Sequence, residues 1–248
     1  MRLFTTLYES CEILPHFLKW YANRGVSHFH VGIWNFDTRP DRDRIIDLSR
    51  STKIKNVFLE QHAAGQFDPD QDHGWMTDKL NQVTTDGQWY VVADLDELHE
   101  PPPEFYSFAA WAEKASESPN VTHCYGYFLD RLAADGSIKP IEEDQDIFEQ
   151  FPIGAYISLG IAQADTRKIC IQRSRRVLVG HHYTDGQAYE GHLGTVHHFK
   201  WCGNLIEKLQ QRRERIKKLG LGYADEYTRI LEHLEKNGMK FGPEFLHT

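Results

Sequence analysis

No stretch of this 248-residue sequence approaches the run of about 18 apolar residues that a membrane-spanning helix needs, so no span is expected. The opening segment MRLFTTLYES carries an early Arg but no continuous apolar stretch, which argues against a signal-peptide core. Cysteine is scarce: Cys11, Cys124, Cys170 and Cys202 stand far apart with no Cys-x-x-Cys spacing. That argues against a zinc knuckle or a disulfide framework and makes a reducing cytoplasm the expected location. A basic surplus is lacking as well, the formal net charge being −8. Nucleic acid is therefore not expected as the main partner, and an anionic substrate would need a local site or a metal ion. Internal repeats, low-complexity tracts and linkers are also absent, and one domain over 1–248 is expected.

What is present is enough apolar and aromatic content, 40% and 12%, for a sizeable core, set out in a regular rhythm. Leu3–Leu7 reads as a strand, Glu12–Asn23 as an amphipathic helix with Ser10 as its cap and Gly25 at its end, and Ser27–Trp34 as a second strand. Asp41–Ser51 reads as a helix, Ile54–Leu59 as a strand, His73–Thr85 as a helix and Gln88–Ala93 as a buried strand. This alternation predicts a mostly parallel sheet with flanking helices. A helix over Glu104–Ser116 and a strand over Val121–Leu129 follow. The rhythm then changes: turn signals between short runs such as Lys168–Gln172 and Arg176–Val179 predict a small antiparallel section, and two helices, from Leu205 and over Tyr223–Lys236, close the chain.

The densest chemistry lies in Val91-Val92-Ala93-Asp94-Leu95-Asp96-Glu97-Leu98, where carboxylates follow directly on a strand expected to be buried on both faces. Buried charges need partners or a metal. In open α/β sheets ligands gather beyond the carboxyl ends of the strands, which is where these groups should stand. On an extended backbone Asp94 and Asp96 point the same way, so two hard oxygen donors can face one divalent cation together with phosphate oxygens and water. A strand that simply ends in a polar turn would read the same in isolation.

Several segments, in this order, resemble the family 2-like glycosyltransferases of bacteria: Leu14-Pro15-His16-Phe17-Leu18 with Gly25-Val26, WYVVADLDE over Trp89–Glu97, Asp130–Gly136, Gln150-Phe151-Pro152, and HHFKW over His197–Trp201. The resemblance covers most of the chain. It implies the GT-A-like, Rossmann-type α/β fold, with 1–100 as a nucleotide-binding half, 101–202 as an acceptor-side half and 203–248 as C-terminal helices. It further implies sugar transfer, with inversion, from a nucleoside-diphosphate sugar to a glycan, lipid-linked or small hydroxyl acceptor. Asp96 would hold Mn²⁺ or Mg²⁺ on the donor diphosphate, and Asp94 would bind the ribose or a metal-bound water. The chain departs from the family at Glu9-Ser10, where Asn-Glu is usual, which puts the contribution of Glu9 to the nucleotide pocket in question. Asn35 and Asp37 at the end of the second strand, and Lys79 and Asn81 on the helix before the acidic motif, are further donor-side candidates.

Histidine is abundant, with fourteen residues in all. Because imidazole is a common ligand for transition metals, His198 is the candidate for a third metal ligand, with His182 next. Inversion also needs a base near the acceptor hydroxyl; Asp130 and Glu149, each beside apolar residues, are the candidates. Trp75, Tyr125, Tyr127 and Trp201 are available to stack on sugar or base faces, or simply to pack. The basic run Lys208–Lys218 is either a solvated helix face or a peripheral contact with anionic lipid. A metal-dependent phosphoesterase and a non-catalytic sugar- or nucleotide-binding protein are the rival readings.

Overall fold

A computed structural model describes residues 1–8, 11–65, 68–174, 181–218 and 224–246. The chain begins with β1 (Arg2–Leu7), α1 (Leu14–Asn23), β2 (His28–Ile33), α2 (Arg42–Ser51), β3 (Val57–Gln61) and α3 (Pro69–Val83). It continues with β4 (Tyr90–Val92), β5 (Glu97–Glu100), α4 (Phe108–Ala115), β6 (Val121–Leu132), α5 (Ile147–Gln150) and β7 (Ile153–Ala155). It ends with β8 (Arg167–Gln172), β9 (Gln187–Ala188), β10 (Gly194–His198), α6 (Leu205–Lys218) and α7 (Ala224–Lys236). These elements form two compact units, Met1–Tyr127 with Arg167–Val196, and Phe128–Thr166 with His197–Thr248.

In the first unit the strand order is β3-β2-β1-β4-β8-β6-β10-β5. The β3-β2-β1-β4 portion is parallel, with Leu3 paired to Phe29 on one side and to Val91 on the other. Leu3, Phe4, Thr5 and Leu7 of β1 are all buried, as expected of a strand covered on both faces. The antiparallel part starts where β4 meets β8 and continues from β8 to β6. Gly126 on β6 is required there, because a Cβ would lie 2.7 Å from the Cys170 sulfur and 2.8 Å from the Gly194 carbonyl oxygen. α3 covers the sheet by packing Met76 and Leu80 against Phe4, Tyr90 and Val92. The mostly parallel α/β sheet with flanking helices, a smaller antiparallel section and C-terminal helices is what the chain forms.

In the second unit the last residues of β6 pair antiparallel with β7, Asp130 opposite Ala155. A π-helical turn follows at Ser158–Ala162. Leu205 and Leu209 of α6 and Ile230, Leu231 and Leu234 of α7 share a core with Trp201 and Phe241.

Several boundaries differ from the sequence expectation for local reasons. Ser10 lies outside the described residues, and Ile13 occupies the N-cap position of α1, with a proline in the first turn. α3 begins before His73 because the Asp68 side chain accepts the Asp70 N–H at 2.9 Å and caps an additional turn. α4 begins only at Phe108, where Ser107 takes the cap by accepting the Ala110 N–H. The expected strand over Arg176–Val179 lies outside the described residues, whereas β5, β7, β9 and β10 were not expected.

Candidate functional site

The site is built on the end of β4. Tyr90, Val91 and Val92 are buried, and the Ala93 N–H still bonds to the Phe4 carbonyl at 3.2 Å. The chain then turns tightly, the Glu97 N–H closing on the Asp94 carbonyl at 3.0 Å, and re-enters the sheet as β5. Asp94 and Asp96 therefore stand on a turn, not on the extended backbone the spacing suggested. Both are half-buried, whereas Glu97 is 2% exposed.

Lys168, the second residue of β8 and 1% exposed, ties this turn together. Its ammonium lies 2.6 Å from Asp94 Oδ2 and 2.8 Å from Glu97 Oε1. The other oxygen of Glu97 lies 3.2 Å from His99 Nε2, and Asp94 Oδ1 lies 3.3 Å from His181 Nδ1. Burial of Asp94 disfavours its charge, but Lys168 and His181 outweigh that cost and hold the carboxyl below the usual carboxylate range. Burial likewise opposes the charge on Lys168, and the two carboxylates more than restore it. Burial lowers His99 to about 3, with Lys168 adding to the effect, and lowers His181 to about 4, so both rings are neutral at physiological pH.

The donor-side candidates make contacts of their own. Asn35, in the left-handed conformation (φ 56°) after β2, donates to the Gly65 carbonyl at 3.1 Å and accepts the Gly65 N–H at 2.7 Å. Its amide thus holds the loop after β3. Asp37 is exposed in a 3₁₀ turn and Asn81 is exposed on α3. Lys79 is paired with Glu60 at 2.6 Å. Glu9 lies outside the described residues. His182 turns its Nδ1 to the Arg167 carbonyl. Trp75 stacks on His62, itself stacked on Trp34; Tyr125 packs edge-on to His123, and Tyr127 is exposed.

The second unit holds the remaining candidates. Asp130 is fully buried and surrounded by donors: the Ser158 N–H at 2.7 Å, the Ser158 hydroxyl at 2.8 Å, the Trp201 indole N–H at 2.7 Å and His198 Nδ1 at 2.8 Å. Burial opposes its charge, but these bonds, His198 foremost, hold it below the usual carboxylate range. His198 is also stacked on Phe128. Trp201 is consequently a core residue with its polar tip satisfied. Glu149 is exposed in the first turn of α5 and lines an open cleft with Lys139, Glu142 and Gln150.

Lys168, Asp72, His62 and His73 were missed by sequence reasoning. For Lys168 a signal existed: a lysine inside the run Arg167–Gln172, in which Ile169, Cys170 and Ile171 are buried, is a charge that must find partners. All four cysteines are unpaired thiols, and among the described residues no helix is long and apolar enough to cross a membrane.

No protein-family model matches the chain, and no curated protein sequence matches it. Solved structures to which it is similar include a mannosyltransferase, PcManGT, from Pyrobaculum calidifontis in complex with GDP-Man and Mn²⁺ (TM-score 0.47, 10% identity, 94% of this chain and 68% of that one). S. aureus TarS is another (TM-score 0.37, 12% identity, 96% and 44%). A UDP-glucose pyrophosphorylase complexed with UDP-glucose is a third (TM-score 0.31, 8% identity, 58% and 64%). The chain thus spans less than two thirds of the length of both TarS and the pyrophosphorylase.

Proposed function

We propose that the chain is a metal-dependent glycosyltransferase that moves a sugar, with inversion, from a nucleoside-diphosphate sugar to a hydroxyl of a glycan, a lipid-linked acceptor or a small molecule. One observation carries this reading. The Asp94-Leu95-Asp96 turn stands at the carboxyl end of β4, beside β1, where the chain, having laid β2 and β3 on one side of β1, returns to lay β4 on the other. Ligands of open α/β sheets bind outside the carboxyl ends of the strands at such a reversal.

The donor set suits the metal this function needs. Two half-buried carboxylates on one turn offer hard oxygen ligands, which fit Mn²⁺ or Mg²⁺. Bound there, the ion would offset the negative charge that develops on the leaving nucleoside diphosphate. Asp94 and Asp96 hold the ion, and Lys168 keeps Asp94 ionised and fixes its orientation. Asp37 and Asn81, with exposed side chains, are assigned to the donor nucleotide, as is Glu9; Asn35 and Lys79 are engaged by their bonds to Gly65 and Glu60 and are assigned to the donor side through them. Glu149 is assigned as the base that takes the acceptor proton. Asp130 is a positioning residue, since its oxygens already accept four bonds and no surface reaches it; His198 is the ring it positions. The basic stretch 208–218 is the part of the chain that would meet anionic lipid around a lipid-linked acceptor.

Calorimetry with UDP and GDP, with and without Mn²⁺, on the native chain and on Asp96→Ala tests the reading. Metal-dependent micromolar binding that disappears in the variant is expected, and it also names the base. Failure of either nucleotide to bind at millimolar concentration would overturn it. Turnover that needs only water, with no acceptor, would favour a phosphoesterase.

A further inference from the structure

We propose that Asp72, His73 and His181 form a second metal site, which takes a transition-metal cation such as Zn²⁺ through one carboxylate oxygen and two imidazole nitrogens. Asp72 and His73 lie in the first turns of α3, and His181 approaches from the far side of the sequence. One candidate ligand atom from each of the three lies within 4.8 Å of the other two, a spread that small side-chain adjustments close around a single ion. Two imidazoles and a carboxylate suit zinc, cobalt or manganese better than magnesium or calcium, which prefer an all-oxygen shell.

Two of these three residues, His181 and Asp72, are buried with unsatisfied polar atoms. His181 is 2% exposed and Asp72 is 5% exposed. Among the described residues neither ring nitrogen of His181 has a hydrogen-bond partner, and neither has Asp72 Oδ1. The ionisable groups beside them do not change that: Asp94 Oδ1 is 3.3 Å from His181 Nδ1, and His62 Nε2 is 3.2 Å from Asp72 Oδ1, both without hydrogen-bond geometry. Buried polar groups are nearly always paired, so unpaired atoms on two buried residues at one spot, His181 and Asp72, call for a ligand. The backbone points the same way. His181 has φ +60°, in the left-handed region that a non-glycine residue rarely adopts, and such strain persists where a site requires a particular side-chain placement. Outside the three ligands, His62 is clamped between the rings of Trp34 and Trp75 at centroid distances of 4.6 and 5.1 Å and faces Asp72, as an outer partner that orients a ligating carboxylate should.

The site shares no ligand with the Asp94 and Asp96 pair, and it does not depend on the glycosyltransferase reading. It does adjoin that pair through His181, so an ion there would fasten residue 181 to α3 beside the Asp94 carboxylate.

The test uses the full chain stripped of metal, titrated with Zn²⁺ by calorimetry and with Co²⁺ by visible absorption. The parent, His181→Ala, His73→Gln, Asp72→Asn and Asp96→Ala are compared. We expect one equivalent bound by the parent and by Asp96→Ala. The affinity should fall in the other three variants by at least the roughly 10–100-fold that loss of an outer partner costs. Spin-echo modulation on Mn²⁺-loaded Asp96→Ala, in which the donor-side carboxylate pair is broken, should show coordinated imidazole nitrogen. The proposal is overturned if the parent binds neither Zn²⁺ nor Co²⁺. It is also overturned if binding is unaffected at positions 72, 73 and 181, which would mark adventitious surface histidines, or if it is lost only in Asp96→Ala.

Discussion

Lys168 shows how one residue can set the electrostatics of a whole turn. It is a buried cation near the start of a strand, held by Asp94 at 2.6 Å and Glu97 at 2.8 Å. Replacing it with methionine preserves the volume but leaves Glu97, 2% exposed, without its counter-charge. Removal of one partner from a buried ion pair costs about 3–5 kcal/mol, because the stranded charge remains desolvated. Lys168→Met should therefore lose stability on that scale in denaturant unfolding, and adding Glu97→Gln should recover part of it. No recovery would mean that the contribution of Lys168 is packing, not charge. Asp130 belongs to the same class of residue. Asn in its place keeps one acceptor but directs its NH₂ group either at the Ser158 N–H, which bonds Oδ2, or at the Trp201 indole N–H, which bonds Oδ1, so Asp130→Asn should cost roughly 3 kcal/mol by the same measurement.

At the scale of elements, β2 and α3 meet with no tolerance for a side chain. A Cβ on Gly32 would lie 2.8 Å from the Trp75 indole, and that indole is already stacked on His62. Gly32→Ala should destabilise by about 1–3 kcal/mol, the usual cost of overpacking. An unchanged unfolding midpoint would show that the aromatic stack yields. The same elements show what local pattern can and cannot reveal. β1, α1, β2 and α2 lie close to where the sequence predicted them, because uninterrupted apolar runs mark covered parallel strands and one-sided periodicity marks helices. β3 is displaced toward Gln61 because Lys53 and Asn56 adopt positive φ, and the apolar Ile54 belongs to a turn. β5 was hidden because Glu97-Leu98-His99-Glu100 reads as polar. It is held by distant groups: the Tyr21 hydroxyl donates to the Glu97 carbonyl and accepts the His99 N–H, both at 2.9 Å. The site divides in the same way. Asp94 and Asp96 stand out as candidates, since charges at the end of an apolar strand are conspicuous in sequence. Lys168 was not placed beside them, because it arrives from 74 residues further along.

At the scale of the whole molecule, the unusual histidine content has consequences for acid stability. Burial lowers His30, which Lys79 and Arg2 also disfavour as a cation, to about 4; it lowers His99 to about 3 and His181 to about 4. Above pH 6.5, the ordinary histidine value, folded and unfolded chains both carry these rings neutral and stability does not depend on them. Below it the unfolded chain takes up protons that the folded chain refuses. Stability must then fall as pH drops from 6.5 toward 4, with the largest contribution from the most buried rings. Asp94 and Asp130, held below the usual carboxylate range, add a second loss only when pH falls below about 4. The melting temperature should accordingly be flat from pH 8 to 7 and fall by roughly 5 °C or more between pH 6.5 and 4.5, as measured by scanning fluorimetry. His30→Phe separates the cause from general acid damage. The ring at position 30 lies stacked between Phe4 at 4.9 Å and Phe58 at 5.1 Å, so phenylalanine fits the stack and cannot be protonated. Its melting curve should be less pH-dependent than that of the parent in this window, and an equal slope would assign the acid sensitivity to groups other than His30.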